Sequence, residues 1–430
     1  MVGFPRLYAR EEVNRSVNFA RDTGMDLAVK GAGHNIAGNA LCDDGIVVEH
    51  DLSAMRSVHV DPEAKTARVE PGVTLADLDH ETQAFGLATP VGYNSTTGIA
   101  GLTLGGGFGW LSRKHGLTAD SLLSADVVTA DGELVHASET ENEDLFWGLR
   151  GGGGNFGIVT SFEFQLHEFG PDILSGLLVY PVEDAADVLR EYRTLADDAP
   201  DDVVVWCVLR YAPPLPFLPE EWHGKKVIVL AAFYAGEMED GEEALQPFRD
   251  IGSPIVDVVS PHVYEEWQQA FDGLLEPGAR NYWKSHNFVE FTDGMIENFV
   301  EYIETMPTPL SEIAIAQLCG AINDVPSTET AYPHRDIKYL MNLHTRWEDP
   351  AQDEACMAWA RELYDAMTPH ATGGVYVNFI PERDGAEKLA YGDNFARLVE
   401  VKTRYDPENL FSVNQNVQPT GADAGTAADD

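Results

Sequence analysis

Basic residues are scarce in this sequence of 430 residues: 28 Lys and Arg stand against 71 Asp and Glu, a formal net charge of −43. A surface this acidic repels nucleic-acid phosphates and anionic lipid head groups, which excludes nucleic acid and membranes as partners. The acids are spread along the whole length, as in proteins that stay soluble in high salt, where ions screen the repulsion between like charges. We therefore expect a halophilic protein.

Cysteine is rare too, and Cys42, Cys207, Cys319 and Cys356 lie far apart without a Cys-x-x-Cys pair. This spacing argues against a disulfide framework or a thiolate metal site and favours a reducing compartment. Long apolar runs are also missing. The best, 227–235, is too short to span a bilayer, and the N-terminus lacks the apolar core of a signal peptide. We predict a cytoplasmic protein without a bound metal.

Apolar residues make up 44% of the chain, enough to bury a substantial core. Their spacing predicts helices at 10–23, 75–85, 141–150 and 394–405, strands at 27–30, 45–49, 58–60, 66–69 and 158–166, a strand–turn–strand at 122–135 and a further strand from residue 376. Glycine clusters end near Pro171, and strands rich in Val, Ile and aromatics then alternate with acidic helices to about residue 370. That change predicts a separate α+β domain.

Glycine, by contrast, is abundant, and much of it is concentrated in three loops at 31–35, 92–109 and 151–157. Glycine allows positive φ and lets backbone N–H groups approach phosphate oxygens. Any one loop alone is more simply a tight turn, but three together favour a binding site. His34 lies in the first loop, where a single histidine is more often exposed or locally hydrogen-bonded than functional.

The third loop, Gly152-Gly-Gly-Asn-Phe-Gly157, matches the G-x-G-x-x-G pattern of nicotinamide-binding Rossmann domains. There the pattern follows a strand and opens a helix, whereas here it follows a predicted helix and opens a predicted strand. In the first loop the next strand begins before a crossover helix would fit. We therefore reject a Rossmann domain. Gly-x-Ser-x-Gly and His-Glu-x-x-His motifs are absent from the sequence.

Several segments, in family order, resemble the berberine-bridge-enzyme-like branch of the vanillyl-alcohol oxidase / p-cresol methylhydroxylase flavoprotein superfamily. They are Lys30-Gly-Ala-Gly-His-Asn35, 98–109, 113–120, 144–157, 376–379, 391–398 and 405–411. The resemblance covers most of residues 25–170 and 375–419. The resemblance implies an FAD-dependent oxidoreductase. Together with the acidic composition, it leads us to expect a haloarchaeal source.

The resemblance also implies which residues of this chain hold FAD. His34 falls on the histidine that bonds covalently to the flavin 8α-methyl group. Asn94 stands where many relatives attach the flavin a second time through cysteine, so a single covalent attachment through His34 is predicted. The expected FAD-binding residues are Lys30, Gly31, Ala32, Gly33, His34, Asn35, Asn94, Gly98, Gly101, Gly105, Gly106, Gly107, Gly109, Gly154, Asn155, Gly157, Ile158, Val159, Tyr376 and Asn378.

Phe379 departs from the family pattern, because plant relatives carry a tyrosine base at this place and phenylalanine has no ionisable group. The proton acceptor must lie elsewhere, or the reaction needs none. The candidates for a catalytic role are Tyr93, Tyr376 and Asn342. Asp384 is close to the motif in sequence but nothing in the sequence fixes its geometry.

The architecture implied by the resemblance is an α+β fold with a p-cresol methylhydroxylase-type FAD-binding domain formed by residues 1–170 and 371–419. A substrate domain at 171–370 would place an antiparallel sheet over the flavin, and residues 420–430 form an acidic tail predicted to be disordered. The implied substrate is a sugar, an alcohol or an aromatic or alkaloid-like compound, with reoxidation by O₂ in a monomer or small homo-oligomer. The alternatives are a flavin dehydrogenase with another electron acceptor and a non-catalytic FAD- or ligand-binding protein.

The acidic composition predicts that molar salt stabilises the fold. Raising the KCl concentration should raise the midpoint of thermal unfolding, because screening weakens the repulsion among 71 carboxylates. Circular dichroism at a series of salt concentrations measures this midpoint. A protein that is more stable in low salt than in molar salt contradicts the halophilic interpretation.

Overall fold

The computed structural model describes residues 10–49, 55–381 and 386–421. Asp384 and residues 422–430 of the expected tail lie outside the described residues, so the predictions made for them stay predictions. Among the described residues, no helix is long and apolar enough to cross a membrane. The four cysteines all carry free thiols.

The described residues among the first 170 form nine strands and five α-helices, close to the segments predicted from apolar spacing. They are α1 (Arg10–Thr23), β1 (Leu27–Lys30), β2 (Ile46–Glu49), β3 (Val58–Asp61), β4 (Thr66–Val69), α2 (Leu75–Gln83), β5 (Leu87–Ala88), α3 (Ile99–Leu104), α4 (Ser112–His115), β6 (Leu122–Val128), β7 (Leu134–Ser138), α5 (Glu143–Leu149), β8 (Ile158–Gln165) and β9 (His167–Glu168). Helix α2 begins where the sequence predicts, because Thr74 and Asp77 form a reciprocal capping box at its N-terminus.

The described residues of this part of the chain form three sheets, one of them a short antiparallel pairing of β5 with β9. Strands β1 and β2 pair in parallel, while β3-β4-β8-β6-β7 form a five-stranded antiparallel sheet. The glycine loops lie at the ends of these elements: the first follows β1, and the third joins α5 to β8. The first and third loops therefore directly adjoin strands in two of these sheets, β1 and β8.

The central part of the chain contains an eight-stranded antiparallel sheet in the order β13-β10-β12-β11-β16-β17-β15, with β14 also pairing β10. Its elements are β10 (Asp172–Pro181), α6 (Ala185–Asp198), β11 (Val203–Tyr211), β12 (Lys226–Tyr234), α7 (Met238–Arg249), β13 (Val256–Asp257), β14 (Ser260–Val263), α8 (Tyr264–Gln269), β15 (Arg280–Phe288), α9 (Asp293–Glu304), β16 (Glu312–Gln317), α10 (Ala321–Asp324), β17 (Tyr339–Trp347) and α11 (Asp353–Met367). This sheet confirms the α+β fold class, while the domain boundaries at 170 and 370 stay predictions.

The two faces of the eight-stranded sheet have different partners, as the alternation of side chains along a strand requires. On β17, Tyr339, Met341 and Leu343 belong to the core that this sheet forms with α6, α7, α9 and α11. Leu340 belongs to a second core, which contains Trp110 and Tyr376 from outside the sheet. That second face is therefore the one directed toward the glycine loops.

The C-terminal segment returns to the first part of the chain as α12 (Glu387–Tyr391) and α13 (Phe395–Tyr405). The strand predicted from residue 376 is wrong: Val377–Phe379 form a turn of 3₁₀ helix. The apolar residues there do not pair as a strand because they insert individually. Val377 packs into the core of the five-stranded sheet, whereas Tyr376 packs against the eight-stranded sheet.

A fully buried ion pair holds this returning segment in place. The Lys402 ammonium lies 2.7 Å from the Asp406 carboxylate and donates to the backbone carbonyls of Asn155 and Phe411, both at 2.9 Å. The carboxylate in turn accepts the backbone N–H groups of Leu410 and Phe411. All three ammonium protons have acceptors, so the charge is buried without an unpaired group.

Removing this ammonium group should be strongly destabilising. Lys402→Met leaves the Asp406 carboxylate buried without its partner, and we expect a loss of about 3–5 kcal/mol in the free energy of unfolding. Arg404→Met is the matched control, because Arg404 lies on the same helix but pairs with Asp144 at the surface, where such pairs contribute less than about 1 kcal/mol. Urea unfolding measures both variants, and equal losses would contradict the structural role assigned to Lys402.

Candidate active site

A cavity of about 740 Å³ lies where the glycine loops, the C-terminal segment and the eight-stranded sheet meet. Most of the residues predicted from the sequence line it, although they are distributed over more than 340 positions of the chain. They are Gly31, Ala32, Gly33, His34, Asn35, Tyr93, Asn94, Gly98, Gly101, Gly154, Asn155, Gly157, Ile158, Val159, Tyr376 and Asn378. The fold therefore brings together three glycine loops that the sequence could only describe separately.

Other predicted residues do not line this cavity. The Lys30 ammonium lies 3.2 Å from the Glu49 carboxylate on the neighbouring strand. Four glycines of the second loop instead pack where a β-carbon would meet protein atoms: Gly105 against Asn378, Gly106 against Tyr332, Gly107 against Thr118 and Gly109 against the Val91 carbonyl. At these positions glycine allows close packing against protein atoms, and their expected role in binding FAD stays a prediction.

Three other glycines, one in each loop, have open space beside their backbone. A β-carbon added at Gly31, Gly101 or Gly154 would meet nothing within 4 Å. These residues expose peptide groups to the cavity, the arrangement that a phosphate-bearing ligand requires. The Asn414 amide oxygen, on a residue lining the same cavity, is buried without a hydrogen-bond partner. Volume, open glycine backbone and this unpaired polar atom together fit a dinucleotide such as FAD.

His34 faces this cavity and is held through its ring nitrogens. Its Nε2 lies 2.9 Å from the Thr96 hydroxyl oxygen, and its Nδ1 lies 3.5 Å from that of Thr97. The Asn94 amide oxygen accepts the Thr96 hydroxyl proton at 2.6 Å. Because that proton is used, the Thr96 oxygen accepts a hydrogen bond from Nε2–H, which leaves the lone pair on Nδ1.

The charge state of His34 favours a nucleophilic imidazole. Burial lowers its pKa, and a hydrogen bond to the Thr96 backbone and the charge of Asp272 oppose the shift only in part. A neutral ring with one unprotonated nitrogen is the form that can attack carbon. Thr96 is not among the residues predicted from the sequence, although it lies two residues after Asn94, which stands where many relatives carry cysteine.

Tyr376 is buried at the junction of the second loop and the C-terminal segment. Its phenolic oxygen accepts hydrogen bonds from the Gly107 backbone N–H and the Asn378 amide, each at 3.1 Å. Burial raises its pKa to about 12, although these two donors oppose the shift. The group therefore stays protonated at neutral pH, so it can position a ligand but is a poor proton acceptor.

Tyr93 and Phe379 lie at the boundary between this cavity and a smaller one of about 100 Å³. Burial, followed by the nearby charge of Glu312, raises the pKa of Tyr93 far above its usual value. The Phe379 ring packs against Tyr376, with ring centroids 4.9 Å apart, and against Trp283 at 5.3 Å. Asn342 lines the smaller cavity rather than the larger one.

Comparison with known proteins agrees with this geometry. Two family models match the sequence, one described as an FAD binding domain over residues 7–138 and one as berberine and berberine like over residues 375–418. An FAD-linked oxidoreductase of Dictyostelium discoideum is 30% identical over 95% of this chain and 87% of that protein. A xylooligosaccharide oxidase of Thermothelomyces thermophilus is also 30% identical, over 95% of this chain and 85% of that protein.

Solved structures extend the likeness to the fold. The crystal structure of a 6-hydroxy-D-nicotine oxidase from Arthrobacter nicotinovorans matches with a TM-score of 0.85 at 28% sequence identity. The match covers 96% of this chain and 91% of that one. Both ends of the cavity lining, the glycine loops and the C-terminal segment, are therefore within the compared region.

The contacts of Tyr376 predict that its hydroxyl group is structural. Tyr376→Phe leaves the buried Gly107 N–H without its acceptor, and we expect a loss of about 1–3 kcal/mol in the free energy of unfolding. Tyr211→Phe is the control, because its hydroxyl donates to the Met306 carbonyl in a half-buried place away from the cavity. Denaturant unfolding measures both, and a Tyr376→Phe loss no larger than that of Tyr211→Phe contradicts this assignment.

Proposed function

Because the chain belongs to the berberine-like branch of the vanillyl-alcohol oxidase / p-cresol methylhydroxylase family, we propose that it is an oxidase with FAD bonded covalently to His34. The family, the fold class and an FAD-dependent oxidoreductase function, all predicted from the sequence motifs, are confirmed. The covalent bond, the electron acceptor and the substrate are the parts that we propose here.

One observation carries the proposal: the first glycine loop, the third glycine loop and the C-terminal segment line a single cavity, and His34 faces it. Bound FAD supplies the two-electron acceptor for a hydride from the substrate. The peptide groups of Gly31, Gly101 and Gly154 would bind its phosphates. Asn378 and Tyr376 would contact the ring system at the end nearest the eight-stranded sheet.

A single attachment through His34 follows from the residues around it. Asn94 has no thiol, and Cys42, Cys207, Cys319 and Cys356 are not among the cavity residues. The Asn94–Thr96–His34 chain of hydrogen bonds keeps Nε2 protonated and presents Nδ1 as the nucleophile. Asn94 stands where relatives form a second covalent bond to the flavin. Here it instead accepts a hydrogen bond from Thr96, which in turn orients His34 for the single covalent bond.

We propose a small organic alcohol or amine as the substrate and O₂ as the electron acceptor. The relatives are named for oxidation of a nicotine derivative and of xylooligosaccharides, so the family alone does not choose between apolar and sugar substrates. The four free thiols fit a reducing compartment, and we propose the cytoplasm. Hydrogen peroxide produced during turnover under air supports an oxidase, whereas turnover only with an added electron carrier supports a dehydrogenase.

Replacing His34 should separate binding of FAD from its covalent attachment. In His34→Ala the FAD should remain bound to the folded protein but be released on acid precipitation, because no nucleophile remains. In the natural protein the yellow colour should stay with the precipitate and map, by peptide mass spectrometry, to the peptide that contains His34. His59→Ala, an exposed substitution on β3, is the control and should keep the colour in the precipitate.

Three outcomes would contradict parts of this proposal. FAD released intact from the acid-treated natural protein removes the covalent bond but leaves FAD binding. A natural protein that binds no FAD even when FAD is supplied during folding removes the proposed function. A protein that binds FAD but whose flavin is not reduced by any alcohol, amine or sugar supports the non-catalytic alternative.

A further inference from the structure

Polar side chains interrupt the otherwise apolar face of the eight-stranded sheet that is directed toward the FAD cavity. His344 and Asn342 project from β17, Glu312 from β16 and Arg210 from β11, and all four are buried. The register places Glu312 beside both His344 and Arg210 across adjacent strands. Burying four polar groups in a sheet face is costly unless they act together or bind a ligand.

His344 is held on one side only. Its Nδ1 lies 3.4 Å from the Glu312 carboxylate, which accepts the proton of that nitrogen. Its Nε2 is buried and has no hydrogen-bond partner, and the residue lines the large cavity. The ring is fixed by Trp283, whose ring centroid lies 4.0 Å away. The arrangement therefore leaves the Nε2 lone pair without a partner, on a residue that lines the site.

Glu312 is kept ionised by a second partner. Its other carboxylate oxygen lies 2.8 Å from the Arg210 guanidinium. Burial alone would raise the pKa of Glu312, but the charge of Arg210 and the contact with His344 outweigh this effect and bring it to about 2. Burial lowers the pKa of His344, and Glu312 opposes that shift. A neutral imidazole beside a fixed carboxylate is the pattern of a general base.

Asn342 supplies two further unpaired atoms. Its amide nitrogen and its amide oxygen are both buried without a hydrogen-bond partner. It lies two residues from His344 on the same face of β17. An amide that neither donates nor accepts within the protein is satisfied if a ligand hydroxyl or amine binds beside it.

The space in front of Asn342 is apolar. We call the smaller cavity the aromatic chamber, defined by Tyr93, Phe108, Trp206, Phe271 and Phe379 among its lining residues. Its volume of about 100 Å³ is smaller than the roughly 150 Å³ of a dry cavity that holds benzene, so it takes no more than one small ring, which extends into the adjoining larger cavity. A sugar unit would leave most of its hydroxyl groups without partners against these side chains.

Four other ionisable groups near His344 are unsuited to accept a proton, while a fifth, Glu276, lines the same cavity at an exposed position. The Arg346 guanidinium donates to the carbonyls of Leu274 and Glu276 in the loop that closes the chamber edge, and Arg210 is bound to Glu312. Burial keeps Tyr93 and Tyr376 protonated. Phe379, at the position of the tyrosine base in plant relatives, has no proton to exchange.

We propose that His344 is the catalytic residue that accepts the hydroxyl or amine proton of an apolar, ring-sized alcohol or amine bound in the aromatic chamber, with Glu312 and Arg210 as positioning residues. This inference rests on the proposed function. In the step, the substrate O–H or N–H bond breaks and its proton goes to His344 Nε2. The C–H bond breaks at the same time, its electron pair leaves as hydride to oxidised FAD, and a C=O or C=N bond forms.

The test begins with a measurement that needs no turnover. Long-range ¹H–¹⁵N spectra of histidine-labelled, FAD-containing protein report which imidazole nitrogen carries the proton, and His344→Gln assigns the signal by its loss. We expect Nδ1 of His344 to be protonated and Nε2 to be free. Phenol, which has a ring and a hydroxyl but no hydride to give, should bind and shift the Nε2 signal. Cellobiose should not.

Glu312→Gln tests the positioning role. It should leave His344 in a mixture of tautomers, because the amide no longer demands a proton on Nδ1. His136→Gln is the matched control, since His136 makes the same kind of Nδ1 contact, at 2.9 Å to the Asp126 carboxylate, on the surface of the other sheet. It should change neither the His344 signal nor phenol binding.

Anaerobic reduction of the flavin by benzylic alcohols and amines, followed by its absorbance, gives the kinetic test. His344→Gln should slow reduction by about 10²-fold or more, as loss of a general base does. The natural protein should lose activity only as pH falls through the pKa of His344, which burial lowers from that of a free histidine. Glu312→Gln should slow reduction about 10-fold and move this acid limb to lower pH, because the carboxylate that favours the protonated ring is gone.

Three results would overturn the inference: a proton on Nε2, phenol binding that leaves the His344 signals unmoved, or no reduction by any benzylic substrate. Each is separate from failure of the proposed function. A protein that is yellow with bound FAD and fails these tests keeps its FAD-dependent assignment and loses only the role given to His344 and the chamber. A protein without FAD fails earlier, before any of these signals is measured.

Discussion

The buried ammonium group of Lys402 connects parts of the chain that must meet for the site to exist. It binds the Asp406 carboxylate beside its own helix and the Asn155 carbonyl in the third glycine loop. Asn155 in turn accepts the Val417 N–H through its side chain. A buried charge tolerates no looser arrangement, because each lost contact leaves a group without a partner in a medium of low dielectric constant. The last helix and the loop are therefore held in one geometry.

A second constraint comes from the period of a strand. On β17, alternate residues contribute to the helix-covered core and to the face near the cavity. Met341 and Leu343 pack in that core, whereas Asn342 and His344 project from the opposite face and carry buried polar atoms without partners. A shift of one residue in register would exchange the two sets. The apolar side of the strand thus determines which polar groups face the cavity.

Glycine has two distinct roles in the same molecule. At Gly31, Gly101 and Gly154 the missing side chain leaves the backbone open to the cavity, whereas at Gly105 and Gly109 it allows close packing against protein atoms. Both kinds look alike in the sequence, because composition records only that a side chain is absent. The distinction depends on which neighbour the fold brings close, and that neighbour is often distant in the chain, as Asn378 is from Gly105.

The sequence by itself determined the family, the FAD cofactor and the α+β class through the resemblance of its motifs to a known family. It determined most local elements through short-range signals, such as the Thr74–Asp77 cap and the alternation of apolar residues. It also marked Phe379 as a missing base. Only the tertiary structure showed which polar groups lie together near it, since the Glu312–His344 contact joins adjacent strands whose register no local pattern specifies. The segment Val377–Phe379 is predicted as a strand but forms a turn, because neighbouring side chains there pack into two different hydrophobic cores. The sequence pattern of this segment does not show which core each side chain enters.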